Sequence, residues 1–320
     1  MANISYGISI YLKETLNDIE SLRHQILLTP LPAKFEHRLQ WETLIARTYW
    51  STSFGDTTVK KADIVRLFTE RRKKRLRKDQ HAVVNYRKTF DYIRDEWLVT
   101  TRPVQSSTLL TLHTLSSSHS PDFIGNQQTF RKLETAVKQL LDLLQTREDH
   151  PLVQAAIAHL QLLTIVPFGD DSATVARLAT YLFLYRRGYD ARGLWVLEEY
   201  WRRTLTDYQR AVSQAKKDGN ANPWLEYFVR GVHEHAKSIQ ELVVNPKFSL
   251  EIPTSFFELN ERQKEIMRLL EPPQATISNR HVQQRFGFSQ ITASRDLTKL
   301  ASLGLIAPRG KGRSVSYTRV

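Results

Sequence analysis

The sequence predicts a mainly α-helical chain that ends in a small α+β module. Two observations carry this expectation. Apolar residues recur at helical spacing in several long segments, among them 83–98, 155–164, 175–183 and 207–233. Residues 258–320 instead read as three short capped helices followed by two short strands around a basic turn.

At 320 residues the chain is long enough for two or three domains, and 41% hydrophobic and 10% aromatic content lets each bury a core. There is no cysteine, which excludes disulfides and thiolate chemistry. No apolar run reaches the ~18 residues of a membrane span. The start "MANISYGISIYLKE" lacks a basic leader, a long apolar core and a cleavage site. The expectation is a soluble cytoplasmic protein with no membrane partner. Net charge is +13 and is uneven. Residues 60–78 hold ten Lys/Arg against Asp63 and Glu70, and residues 258–320 hold eleven Lys/Arg against five Asp/Glu. Such clustering favours a polyanionic partner, while a solvated helix face is the plainer reading of the first window.

Residues 164–177, "TIVPFGDDSATVAR", describe a helix, a tight loop and a second helix. Ala155, Ala156, Ile157, Leu160 and Leu163 supply the first apolar run, which Pro167 and Gly169 break. Asp170, Asp171 and Ser172 are candidate caps for the second helix, which carries Val175, Leu178, Leu182 and Phe183 and stops at Gly188. Backbone donors at such a place often hold phosphate, but two carboxylates here would repel an anion.

Residues 246–257, "PKFSLEIPTSFF", read as a linker. In the module after it, Asn260 and Gln263 form a capping box ahead of Ile266, Leu269 and Leu270. Ser278 caps a second helix with Val282 and Phe286 facing in, ended by Gly287. Ser289 caps a third, with Ala293, Leu297 and Leu300 inward and Gly304 at its end. Val315 and Tyr317 then alternate with Ser314, Ser316 and Thr318. Three short helices, a very short turn between the last two, and a basic hairpin make a winged helix-turn-helix. Its third helix would enter the major groove of double-stranded DNA, exposing Ser289, Gln290, Thr292, Ser294, Arg295 and Lys299. Gln290 and the hydroxyl residues suit base edges, and Arg295 and Lys299 suit phosphates. Arg309, Lys311 and Arg313 on the wing suit the backbone or a minor groove. The segment "FSQITASRDLTKLASLGLI" resembles the recognition helix of winged-helix bacterial regulators. A winged helix used for protein contacts is the alternative.

The opening stretch resembles the Fic family, whose motif runs His-Pro-Phe-x-Asp/Glu-Gly-Asn-Gly-Arg-x-x-Arg. "DHPLVQAAIAHLQLLTIVPF" at 149–168 is similar to the helix leading to that motif. "DYQRAVSQAKK" and "NPWLEYFVRGV", within 207–233, are similar to the helices that follow, and "LTLHTL" at 110–115 and the winged helix match one subgroup. The resemblance spans about residues 20–320 and implies a helical Fic-like core, residues 101–245, with an N-terminal helical region, 1–100, and the winged helix, 258–320.

The family's chemistry moves a nucleotide phosphoryl group onto a protein hydroxyl, with the histidine as base. That position is Val166, which accepts no proton. The phosphate cradle is replaced by Asp171, Ser172 and Ala173, and the first arginine by Thr174. Asp170 stands at the place of the Mg²⁺ ligand, but a lone carboxylate holds Mg²⁺ poorly without phosphates. Pro167, Phe168 and Arg177 remain and can serve folding, with Asp170 and Asp171 as candidate partners for Arg177. The resemblance therefore implies a catalytically inactive domain with no cofactor and no metal. The family's inhibitory helix has its nearest counterpart in "WSTSFGDTTVKKADIVRLF", where Gly55 and Asp56 match the ending and Phe54 replaces the glutamate. Both members of the inhibitory pair are then expected to be missing.

The run "ERRKKRLRKDQ", with Arg71, Arg72, Lys73, Lys74, Arg75, Arg77 and Lys78, suits a solvated face, a second DNA contact or an arm for acidic protein. It lacks interleaved aromatics for base stacking. "TLSSSHSPDFIGN" at 114–126 reads as a turn-rich loop at the place of the family's target-positioning flap. His159 suits a packed helix histidine rather than a substitute base, and His113, His119, His233 and His235 lack metal-ligand spacing.

The function these readings favour is a DNA-binding transcriptional regulator built on an inactive Fic-like domain. The alternatives are a protein-interaction adaptor and a nucleotidyl (AMP) transferase with altered chemistry. Palindromic operators would suit a homodimer, and the Fic-like domain would suit an unknown small-molecule or protein effector.

Overall fold

A computed structural model of the chain describes residues 5–55, 59–69, 76–117, 122–244, 259–270, 275–303, 305–310 and 315–319. Eleven helices precede residue 245 among these. They are α1 (Ile10–Leu28), α2 (Ala33–Thr52), α3 (Lys61–Thr69), α4 (Lys78–Trp97), α5 (Ser106–Ser116), α6 (Asp122–Thr146), α7 (Pro151–Ile165), α8 (Ser172–Arg186), α9 (Leu197–Arg203), α10 (Leu205–Asp218) and α11 (Asn222–Val244).

Helices α7 and α8 form the centre. Both are apolar on nearly every side, so each is covered all round rather than along one stripe. The two helices pack on each other, and their small residues, among them Ala155, Ala156, Ala158, Ala176 and Ala179, are buried. Helix α1 lies along α11, while α4 and α5 close over α8. Trp195, Trp201 and Trp224 fill the core at 1% exposure or less. The periodicity over 83–98 is core packing as far as Trp97, whereas Leu98 is exposed past the helix end. A smaller cluster joins α2, α3 and α4 through Trp41, Ile45, Ile64 and Val83.

The C-terminal module holds a hydrophobic cluster of its own, built from Ile266, Leu270, Ile277, Val282, Ala293, Leu297, Leu300 and Ile306. Its helices are α12 (Glu261–Leu269), α13 (Asn279–Phe286) and α14 (Gln290–Ser302). Asn260 and Gln263 form the expected capping box, and the Ser278 and Ser289 hydroxyls accept from the amides of His281 and Thr292. Gly287 adopts φ 68° to end α13. The sheet has three strands, β1 (Thr276–Ser278), β2 (Ile306–Arg309) and β3 (Ser316–Arg319), all antiparallel with β3 central. Strand β1 is not foreseen by the two-strand reading. Three residues carry no period of their own, and β1 exists by pairing Ile277 with Tyr317 of β3. Helix α14 also touches α3, which joins the module to the N-terminal helices.

The 246–257 linker, Gly304 and residues 70–75 of the basic run lie outside the described residues. The 114–126 stretch is shorter as a loop than its composition suggests, because α5 runs to Ser116 and α6 starts at Asp122.

Candidate functional site

The loop between α7 and α8 is held from several directions. Val166 ends α7 in the left-handed region, φ 54° and ψ 51°, with its amide donating to the Leu162 carbonyl at 3.1 Å. A β-branched residue is strained there, and the side chain stands 41% exposed. Phe168 is fully buried, its ring stacked on His113 at 4.6 Å and on Phe130 at 5.0 Å between centroids. Pro167 beside it is buried.

The capping expectation changes in detail. Asp171 is the N-cap residue of α8, but its side chain caps nothing there. Its Oδ2 meets His113 Nε2 at 2.9 Å and accepts from the Ser117 hydroxyl at 2.7 Å, so it ties the loop to α5. Ser172 accepts from the Phe168 amide at 2.9 Å and is buried. Asp170 remains exposed.

Arg177 does not pair with Asp170 or Asp171. One turn along α8, it points to the other side, donating to Thr174 Oγ1 at 3.0 Å with its guanidinium 4.4 Å from the Phe54 ring centre. Arg177 and Phe54 thus meet as a cation against an aromatic face.

Below the loop lies a buried polar layer. Thr180 donates its hydroxyl to the Ala176 carbonyl, so its oxygen accepts from His159 Nδ1 at 2.9 Å. His159 Nε2 then accepts from the Tyr208 hydroxyl at 2.8 Å. Burial, with the Arg177 charge added, pushes the His159 pKa down to about 3. A neutral imidazole with both nitrogens engaged and 0% exposure is a core element. Deeper still, Glu198 accepts from the hydroxyls of Tyr86, at 2.9 Å, and Tyr181. His113 is buried beside Phe168, and His235 is half-buried with Nε2 accepting from the Val196 amide. No group of three His, Asp or Glu side chains placed to hold a metal ion occurs among the described residues. No helix among them is long and apolar enough to cross a membrane.

The C-terminal module presents the opposite character. Along α14, Ser289, Gln290 and Arg295 are exposed, Thr292 and Lys299 are partly exposed, and Ser294 is buried at 8%. Ser294 thus leaves the expected contact row. At 3.6 residues per turn it falls on the side of Leu297, which packs inward. Ile291 joins the exposed row instead, 66% exposed beside Gln290. Its apolar side chain carries no hydrogen-bonding signal, although a bulky apolar residue next to an N-cap and off the inward stripe is a visible one. Asp296, the one acid of the helix, is 3% exposed and turned inward. It accepts from Arg262 Nε at 2.9 Å and Gln263 Nε2 at 2.8 Å, so its charge is neutralised away from the exposed row. Arg309 is exposed where β2 ends, and Gly310 turns the chain with φ 89°. Lys311 and Arg313 lie outside the described residues, as do Arg71, Arg72, Lys73, Lys74 and Arg75. Arg77 precedes α4, exposed and paired with Asp79 at 3.2 Å, and Lys78 is the first residue of that helix.

No protein-family model matches the chain, and no curated protein matches it either. Among solved structures, the chain is similar to a Fic family protein from Desulfovibrio desulfuricans G20, with a TM-score of 0.63 and 18% identity. The match covers 98% of this chain and 97% of that one. The chain therefore has a Fic-like fold, with a helical core and a small C-terminal α+β region.

Proposed function

We propose that the protein is a DNA-binding regulator whose C-terminal module is a winged helix-turn-helix and whose Fic-like core is a scaffold without transferase activity. The observation that carries this reading is the surface of α14. Its N-terminal half holds Ser289, Gln290, Ile291 and Arg295 outward while Asp296 is paired inside. An α-helix end of this kind fits the major groove. Gln290 suits adenine, Ile291 suits a thymine methyl, and Arg295 suits phosphate. Arg309 and the basic turn after it would lie along the backbone. The charge of residues 60–78 supports a wider footprint, since α3 lies against α14.

Inactivity rests on Val166. The family's base stands where this chain has an aliphatic side chain, and His159 is neutral and committed to Thr180 and Tyr208. Selection of genomic fragments by the purified chain, followed by a salt series on the best fragment, tests the regulator. Selective binding is expected, with log K falling about 0.9 per phosphate contact per decade of salt. Binding indifferent to sequence overturns it. Incubation with labelled nucleotides tests inactivity, and label transfer lost in Asp170→Ala overturns that part.

A further inference from the structure

A cavity of about 630 Å³ opens between the N-terminal helices and the last turn of α14. The core lines it with Trp41, Phe90 and Tyr185, and the end of α14 with Ala301, Ser302 and Leu303. Arg47 of α2 lines it and is 2% exposed. Its Nη2 donates to the Gly193 carbonyl at 2.7 Å, and its guanidinium lies 3.7 Å from the Phe90 ring centre, with the Tyr185 side chain beside it. Nε and Nη1 are buried with no hydrogen-bond partner among the described residues.

The other ions of the cavity are matched. Arg192 pairs with Glu36 at 3.0 Å, and Asp91 takes Arg94 at 3.0 Å and Arg87 at 3.6 Å. Asp190 is held by the backbone amides of its own residue and Gly193. Glu198, whose charge acts on Arg47 through space, makes no ion pair with it and receives two tyrosine hydroxyls. A buried guanidinium with Nε and Nη1 unused and no carboxylate in contact is costly unless an anion arrives. One guanidinium with no carboxylate in contact calls for one negative charge. Asp91, Asp190 and Glu36 on the same walls would repel a dianion such as a phosphate monoester. The aromatic wall calls for a flat apolar body.

We infer that this cavity binds a small organic monocarboxylate, its carboxylate on Arg47 and its apolar body against Trp41, Phe90 and Tyr185. An occupant would touch both the core and the end of α14, and so tie the module to the core. Its effect on DNA rests on the regulator reading above; its binding does not.

Calorimetric titration of the full chain tests the site, with indole-3-acetate as probe, indole as the same body without charge, and inorganic phosphate as the charge without the body. The expected result is one-to-one binding of indole-3-acetate at least tenfold tighter than indole, with phosphate weaker than either. Arg47→Met should lose at least tenfold. Ala301→Trp, which fills the cavity from the α14 side, should abolish binding at unchanged Tm, and it serves if Arg47→Met fails to fold. No binding of indole-3-acetate, equal binding of indole, tighter binding of phosphate, or full binding by Ala301→Trp overturns the site. On a selected DNA fragment, saturating indole-3-acetate should shift the DNA Kd at least threefold in the wild type and not in Ala301→Trp. An unchanged Kd overturns the coupling alone. Failure to bind DNA at all overturns the regulator and leaves the titration as the measure of the site.

Discussion

The motif loop and the tip of α14 are both short polar segments at helix ends, and they differ in where their side chains go. At the loop, Phe168, Asp171, Ser172 and Arg177 all turn onto the protein itself. At α14, the acid turns inward and Ser289, Gln290, Ile291 and Arg295 stay outward. A side chain that spends its hydrogen bonds inside has none left for a ligand, so the contrast separates framework from contact surface within one chain.

The largest expected effect breaks the comparison on the loop side. Phe168→Ala should cost about 3–5 kcal/mol, because it removes a fully buried ring stacked on two others. Chemical denaturation measures it, and a loss under 1 kcal/mol would mean that Phe168 lines an open site.

Next comes acid sensitivity. His159 has its pKa at about 3 in the fold, against about 6.5 when unfolded. The unfolded chain binds the proton first, so stability is intact above pH 6.5 and falls as the pH drops toward 3. At pH 4.5 the loss from this group is on the order of 3 kcal/mol. His159→Gln should flatten the slope of stability against pH between 6.5 and 4.5 relative to wild type. A remainder of the same sign is expected from His235, which burial holds at about 4. Identical slopes in the two proteins would show that His159 is solvated.

On the α14 side, Arg295→Ala and Ile291→Ala should each weaken binding to a selected fragment about tenfold, or 1–2 kcal/mol, with Tm unchanged. Arg295→Ala should also lower the salt slope by about one contact, and Ile291→Ala should not. A fragment with uracil for thymine at the contacted base should mimic Ile291→Ala. If Tm falls with affinity, the side chain packs and the contrast with the loop fails.

The smallest effect sharpens the loop. Val166→Gly should stabilise the chain by about 1 kcal/mol, since glycine relieves the left-handed strain at φ 54°. Destabilisation would mean that the valine packs in a way its 41% exposure does not suggest.

The sequence alone determined the local features of this protein. Caps such as Asn260–Gln263, Ser278 and Ser289, and the inward stripe Ala293, Leu297 and Leu300, depend on spacing within one helix, which spacing reports directly. The helical class and the mixed C-terminal module followed from the same signals. Only the tertiary structure decided what joins distant residues. The meeting of Phe54 with Arg177 spans 123 positions and that of His113 with Asp171 spans 58, so neither leaves a local pattern. The same holds for Asp296 turning to Arg262, for β1 forming against β3, and for Arg47 sharing a cavity with the end of α14. Hydrogen bonds and charges between remote segments are set by how helices pack, and packing is a property of the whole chain rather than of any window within it.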